Sequence, residues 1–562
     1  MTGQLMEINR TNAAPRATVS TLLALALASS AALSVLPAAA APSGHAALRS
    51  VIVTGAGDVA AAVRQAGGVV VDHLPLIGGV SARLPERARL GSSWTVTPDR
   101  PVRVSGGAGA ANGPASTVRA TLGLGAPAGE GAGTTVAVVD TGVADVPDLA
   151  GRLSHVDVTG DGVGDGYGHG TFVAGLVAGD GSSSGGAYAG VAPGASILDV
   201  RVAGDSGASS LTLVLKGLQA VAAHPEVDVV NLSLSSGSPL PYQIDPLTVA
   251  LEALWRRGVT VVVPAGNDGA NGKGSITSPG VDPVLLTVGG IDENGTAKHR
   301  DDSVADWSSQ GPAPQGVQKP DLVAPGAHVI STGAPASSVW ADNPDAHVGA
   351  AYLKGSGTSF ATAVVSGAAA VLLQDRPALS PDQVKELVTD TAYDVRGKHR
   401  ATGAGGLDLA AALDARTPNA RTPRDETLPG AANAWAAFLD ALDNNDPVAA
   451  ANAWAQLSPA ARQWAARQWA GLDLEARQWA ARQWAARQWA GDDETWAARQ
   501  WAARQWAARQ WADSDWSARQ WSARQWSARQ WSARQWSDEE WAARQWSARQ
   551  WSARQWSTDD WS

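Results

Sequence analysis

The stretch Thr135-Val136-Ala137-Val138-Val139-Asp140-Thr141-Gly142 decides the fold. Residues 135–139 are mostly β-branched and lack polar alternation, which predicts a strand buried on both faces, and an acid closes the run. Similar runs follow at 197–202, 227–232, 259–263 and 284–288. Helical stretches separate them, such as 211–223 and 247–257. This alternation predicts an α/β fold, an open parallel sheet with helices on both faces. Such sheets place their sites at the carboxyl ends of the strands, which is where Asp140 falls.

Three further strings carry chemistry. Gly168-His169-Gly170-Thr171 sets a histidine between glycines, at the start of the small-residue helical run 171–177. Gly355-Ser356-Gly357-Thr358-Ser359 leads into another small-residue run, 361–373, so Ser359 is expected at a helix N-terminus among free backbone N–H donors. Pro264-Ala265-Gly266-Asn267-Asp268-Gly269 follows the strand run 259–263, where an amide side chain can donate to an oxyanion. Taken singly, Asp140 reads as a turn acid, His169 as a structural histidine, Ser359 as an N-cap and Asn267 as an Asx turn. Taken together they supply an orienting acid, a general base, a nucleophile and an oxyanion donor.

The set, in the order Asp…His…Ser, resembles the subtilisin-like serine peptidases, for which that order is the known template. The resemblance covers roughly 122–413. Val191-Ala192-Pro193-Gly194-Ala195, Asn231-Leu232-Ser233-Leu234 and Lys319-Pro320-Asp321-Leu322-Val323-Ala324-Pro325-Gly326 are similar to further family segments. It implies a triad of Asp140, His169 and Ser359, with Asn267 completing the oxyanion hole. It also implies a substrate-binding strand that includes Ser233, Leu234 and Ser235, with Gly266 alongside. No metal or cofactor enters such chemistry. Two positions depart from the family pattern: Phe172 stands where His is frequent, and Ala363 where Pro is usual. The familiar calcium loop is not recognisable in 180–190. Asp157, Asp161 and Asp165 offer carboxylates before His169, read as a solvated turn in preference to a calcium site.

The 562 residues carry a net charge of −10 and no cysteine. The first argues against nucleic acid as a partner; the second excludes a thiol nucleophile, disulfides and a cysteine zinc site. Arg10 and Arg16 precede an apolar stretch at 19–36, then Pro37 and four alanines, the pattern of a cleaved export signal over 1–41 and of a secreted protein. Residues 42–104 read as a ferredoxin-like βαββαβ unit, with strands at 51–53, 69–71, 77–84 and 102–104 and helices at 58–66 and 85–90. It resembles the family's propeptide, which assists folding and then blocks the site; an unrelated N-terminal domain is the alternative. A linker at 105–117 precedes the peptidase domain, 118–414.

A second linker, 415–430, and an Ala-rich helical segment, 431–460, lead to a low-complexity tail, 461–562. The tail repeats Ala-Arg-Gln-Trp-Ala/Ser with period five. Successive Trp would rotate by about 140° on an α-helix, so no single apolar stripe forms. Three readings stay open for it: a flexible or partly helical tail; an interaction module for cell-surface glycans, an anionic membrane or another chain; or a peptide substrate released after export. For the whole chain the leading reading is a secreted serine endopeptidase made as a zymogen, acting on polypeptides and inhibited by its own propeptide. The rival is an inactive protease fold that works through its tail. The filled catalytic positions oppose that rival.

Overall fold

The computed structural model describes residues 47–420, apart from 56, 92–93, 105–106, 109–114, 116, 239 and 314–315. The expected export signal, the Ala-rich segment and the Trp repeat lie outside the described residues.

The N-terminal part forms a four-stranded antiparallel sheet. Its elements are β1 (Leu48–Gly55), α1 (Val59–Gln65), β2 (Val69–Leu74), β3 (Gly79–Pro85) and β4 (Trp94–Pro98), in the order β2-β3-β1-β4. Asp58 caps α1 by accepting from the N–H of Ala61 at 2.9 Å. Val51, Val53, Val59, Val63, Val80, Ala82 and Leu84 form its core. The strand order is that of a ferredoxin-like unit, with two corrections to the sequence reading. The helix expected over 85–90 is a turn: Pro85 belongs to β3 and the N–H of Ala88 bonds to its carbonyl at 2.8 Å, leaving no length for a helix. The last strand of the unit is β4, not 102–104.

The segment 102–104 does form a strand, β5 (Pro101–Val104), but it pairs with distant chain. The two-residue strand β6 (Gly107–Ala108) also pairs outside the unit.

The main sheet contains β7 (Thr135–Asp140), β8 (Leu153–Asp157), β9 (Ser196–Arg201), β11 (Val229–Leu232), β13 (Thr260–Pro264), β14 (Leu286–Asp292) and β16 (Leu322–Pro325). They run parallel in the order β8-β9-β7-β11-β13-β14-β16, and the short β15 (Ser303–Val304) adds an antiparallel edge to β14. The five strand runs read from the sequence all appear, with ends shifted by up to four residues. Residues of β11 and β13 are buried throughout, as is β7 beyond Thr135, so both faces of the sheet are covered. Helices α2 (His169–Ala178) and α5 (Thr358–Asp375) pack on one another, as do α3 (Leu211–Val221) and α4 (Pro246–Trp255). Helix α6 (Pro381–Asp390) opens with a capping box between Ser380 and Gln383.

Two smaller sheets flank the strand ends. In one, β5 lies antiparallel between β10 (Ala208–Ser210) and β12 (Leu234–Ser236). In the other, β17 (Val329–Thr332), β18 (His347–Val348) and β6 all pair with β19 (Tyr352–Ser356).

Candidate active site

Because β7, β11 and β13 are parallel, their carboxyl ends share one edge of the sheet. Asp140 ends β7, Ser233 follows β11 and Asn267 lies just beyond β13. Two helices bring the other groups to this edge, with His169 as the first residue of α2 and Ser359 as the second of α5.

Asp140 and His169 meet as a buried pair, Nδ1 to Oδ1 at 2.7 Å, with side chains 0% and 3% exposed. The N–H of Thr141 donates to the same carboxylate oxygen at 2.8 Å. The approach is tight enough to require glycine. A Cβ on Gly142 would fall 2.1 Å from the carbonyl oxygen of Gly164, and one on Gly170 would fall 2.1 Å from that of Gly142. Gly168 adopts φ of +104°, which favours glycine as the N-cap of α2. Phe172 packs on Phe360 with ring centroids 4.3 Å apart, and Phe360 lies 5.6 Å from the His169 ring. The departure at 172 therefore backs Phe360, the ring that flanks the imidazole.

Ser359 is fully buried, and its hydroxyl donates to the carbonyl of Ser233 at 3.2 Å. The His169 Nε2 has no hydrogen-bond partner. Asp140 and His169 are thus joined, whereas the hydroxyl of Ser359 is turned to another acceptor. Asn267 Oδ1 accepts from both the N–H and the hydroxyl of Thr358, each at 2.9 Å. That double contact ties the amide of Asn267 to the first turn of α5.

Leu234 and Ser235 stand opposite Val104 and Arg103, and Ser236 opposite Val102. Ala208 pairs with Arg103 from the other side. Ser233 is placed differently from its neighbours, since its hydroxyl faces Ser359 and Asn231. Gly266, at φ of +107°, packs against Thr277 and Ser309.

Of the acids before His169, Asp157 and Asp161 lie in a surface turn as read, whereas Asp165 does not. Asp157 accepts from Thr159, Gly160 and Gly162 within its own turn, and Asp161 faces Arg201 at 3.5 Å. Asp165 is buried and accepts from four donors: the hydroxyl of Thr141 (2.9 Å), the N–H of Gly168 (2.6 Å), and the N–H and hydroxyl of Thr171 (2.9 and 2.7 Å). It bolts the turn after Asp140 to the helix that begins at His169. Burial pushes its carboxyl up from the usual range, against those hydrogen bonds. The three carboxylates do not converge, and among the described residues no cluster of His, Cys, Asp or Glu is arranged to hold a metal. The signal for Asp165 was present as an acid shortly before a Gly-His-Gly string, but only the fold shows what it accepts.

Residues 131–406 match the profile described as the Subtilase family. The chain is 42% identical over 270 residues to serine protease AprX of Bacillus subtilis (strain 168), covering 46% of this chain and 61% of that protein. It is 36% identical over 282 residues to subtilisin Savinase of Lederbergia lenta, covering 50% of this chain and 91% of that one. Among solved structures it is similar to fervidolysin from Fervidobacterium pennivorans, a keratinolytic enzyme related to subtilisin. The TM-score is 0.54 at 27% identity, over 67% of this chain and 62% of that one. The chain thus spans less than two thirds of the length of AprX and of fervidolysin.

Proposed function

The chain belongs to the subtilase family, and on that premise we propose that it is a secreted serine endopeptidase, made as a zymogen, acting on polypeptides. The observation that carries this reading is the buried 2.7 Å Asp140–His169 pair beside the helix start that bears Ser359. In the proposed reaction the Ser359 hydroxyl turns from Ser233 to the unpartnered Nε2 of His169. It then attacks a peptide carbonyl as His169 takes its proton, and Asp140 holds the imidazolium. The oxyanion is met by the Ser359 N–H and the Asn267 side chain. His169 returns its proton to the leaving amine, and water then releases the acyl-enzyme.

The zymogen reading is supported by β5. A strand gripped between β10 and β12 is held as an extended substrate would be. Val102 is buried in the main core, and Asp99 accepts from the N–H and hydroxyl of Thr212 in the first turn of α3, at 3.0 and 2.8 Å. Val104 stands opposite Leu234, one residue after Ser233, while Gly107 stands opposite Ser356, three residues before Ser359. The cut during maturation is expected between Val104 and Ala120.

Labelling with a fluorophosphonate tests the enzyme. The mature wild type is expected to react at Ser359, and Ser359→Ala to stay unlabelled and uncut. A mature chain whose first residue lies between Val104 and Ala120 fits self-processing; a wild type that never labels overturns the reading. The export signal and the tail's contacts with a surface, a membrane or another chain belong to the same proposal and rest on sequence alone.

A further inference from the structure

Asn231 is fully buried in β11, between β7 and β13. A primary amide in the middle of a sheet is costly unless its groups are paired. Here the amide is bonded at both ends. Its Nδ2 donates to the hydroxyl of Ser233 at 2.9 Å, and its Oδ1 lies 3.0 Å from the hydroxyl of Ser366, whose single hydrogen is shared with the carbonyl of Thr362 at 2.9 Å. The Ser233 hydroxyl in turn donates to the main-chain carbonyl of Ser359 at 3.1 Å.

The direction of this relay follows from the chemistry of its members. The carbonyl of Ser359 only accepts, so the single hydrogen of Ser233 is committed to it. Ser233 can then only accept from Asn231, which sets Nδ2 toward Ser233 and Oδ1 toward Ser366. Ser366 lies seven residues after Ser359, two turns along α5. Asn231 therefore ties the end of β11 to the first turn of α5 through Ser233, while its Oδ1 shares the Ser366 hydrogen with the Thr362 carbonyl.

We propose that Asn231 is a positioning residue for Ser359, acting through Ser233. The proposal rests on the reading of Ser359 as nucleophile. Strand β12, which follows Ser233, is the wall that grips β5. Ser233 holds Ser359 by its hydroxyl on one side and by its carbonyl on the other. The relay thus fixes the spacing between a peptide bound along β12 and the hydroxyl that attacks it. A misplacement there lowers the rate of attack without weakening the strand pairing that binds substrate.

The test uses mature enzyme, with active sites counted by exhaustive fluorophosphonate titration. Ser233→Ala is expected to lower kcat on a peptide substrate roughly 10- to 100-fold, with KM nearly unchanged. The rate constant for phosphonylation should fall in parallel. Ser233→Thr, which keeps the hydroxyl, should recover most of that loss. Asn231→Asp supplies a near-isosteric second arm. Its carboxylate accepts from Ser233 and pulls the hydroxyl off the Ser359 carbonyl, so kcat should fall in the same way. An unchanged kcat per titrated site in Ser233→Ala or Asn231→Asp would overturn the proposal, as would a defect in Ser233→Ala that Ser233→Thr fails to relieve. A wild type that does not label overturns the reading of the site itself.

Discussion

Ser359 and Ser233 hold one another reciprocally: each hydroxyl donates to the other residue's main-chain carbonyl, at 3.2 and 3.1 Å. This leaves the imidazole of His169 bonded on one side only, to Asp140. For Ser359 to act, its hydroxyl must rotate while its backbone stays clamped. The Asp140–His169 half of the site is already assembled.

Asp140 accepts from His169 Nδ1 at 2.7 Å, which fixes the imidazole's orientation and tautomer. Asp140→Asn should keep the fold and lower kcat by about 10⁴-fold by favouring the wrong tautomer. Steady-state kinetics beside an unchanged thermal midpoint would check it.

Asp165 gathers four donors from the Asp140 turn and the His169 helix. Asp165→Ala strands them in the interior. Stability should fall by about 3 kcal/mol, read from the urea midpoint. Activity per folded molecule should fall as well, because the two halves of the Asp–His pair lose their common anchor.

Val102 is buried where β5 crosses the cleft, and Asp99 accepts from Thr212 in the first turn of α3 beside it. In the cut complex, Val102→Asp should raise the inhibition constant of the N-terminal unit by at least about tenfold, since burying a valine is worth about 1.5–3 kcal/mol. Asp99→Ala should raise it less, in line with a net hydrogen-bond contribution of about 1 kcal/mol. Inhibition assays with the separated fragment measure both.

Burial pushes the Asp199 carboxyl up to about 6, against its hydrogen bond to His155 at 2.8 Å. Between the ordinary value of 3.8 and about 6, the folded protein therefore holds a proton that the unfolded chain has released. The resulting stabilisation is full below 3.8 and is lost as pH rises to about 6. The pH series of thermal midpoints should lose this decline in Asp199→Asn, while the wild type retains it.

Arg376 donates to the carbonyls of Ala412 and Ala415, and Gln383 to that of Pro418, at 2.8–2.9 Å. A chain ended after Ala420 should keep the melting temperature and the peptidase activity. One ended after Leu413 loses two of these bonds and should melt a few degrees lower, each bond being worth about 1 kcal/mol.

The sequence by itself determined the parallel sheet and marked the members of the candidate site. Buried strands and small-residue helices are local patterns. Asp140, His169, Ser359 and Asn267 each sit at a strand end or helix start that such patterns mark. The fold then brings those ends to one edge, because parallel strands finish on the same side. Tertiary structure alone decided the rest. Residues 102–104 read as a strand of their own unit, yet pair with β10 and β12, because a strand's partners are set by segments far away in the chain. Asp165 looked like a loop acid and became a buried bolt. The hydroxyl of Ser359 faces Ser233 because hydrogen-bond direction depends on which donors and acceptors folding brings together, and no local periodicity records that.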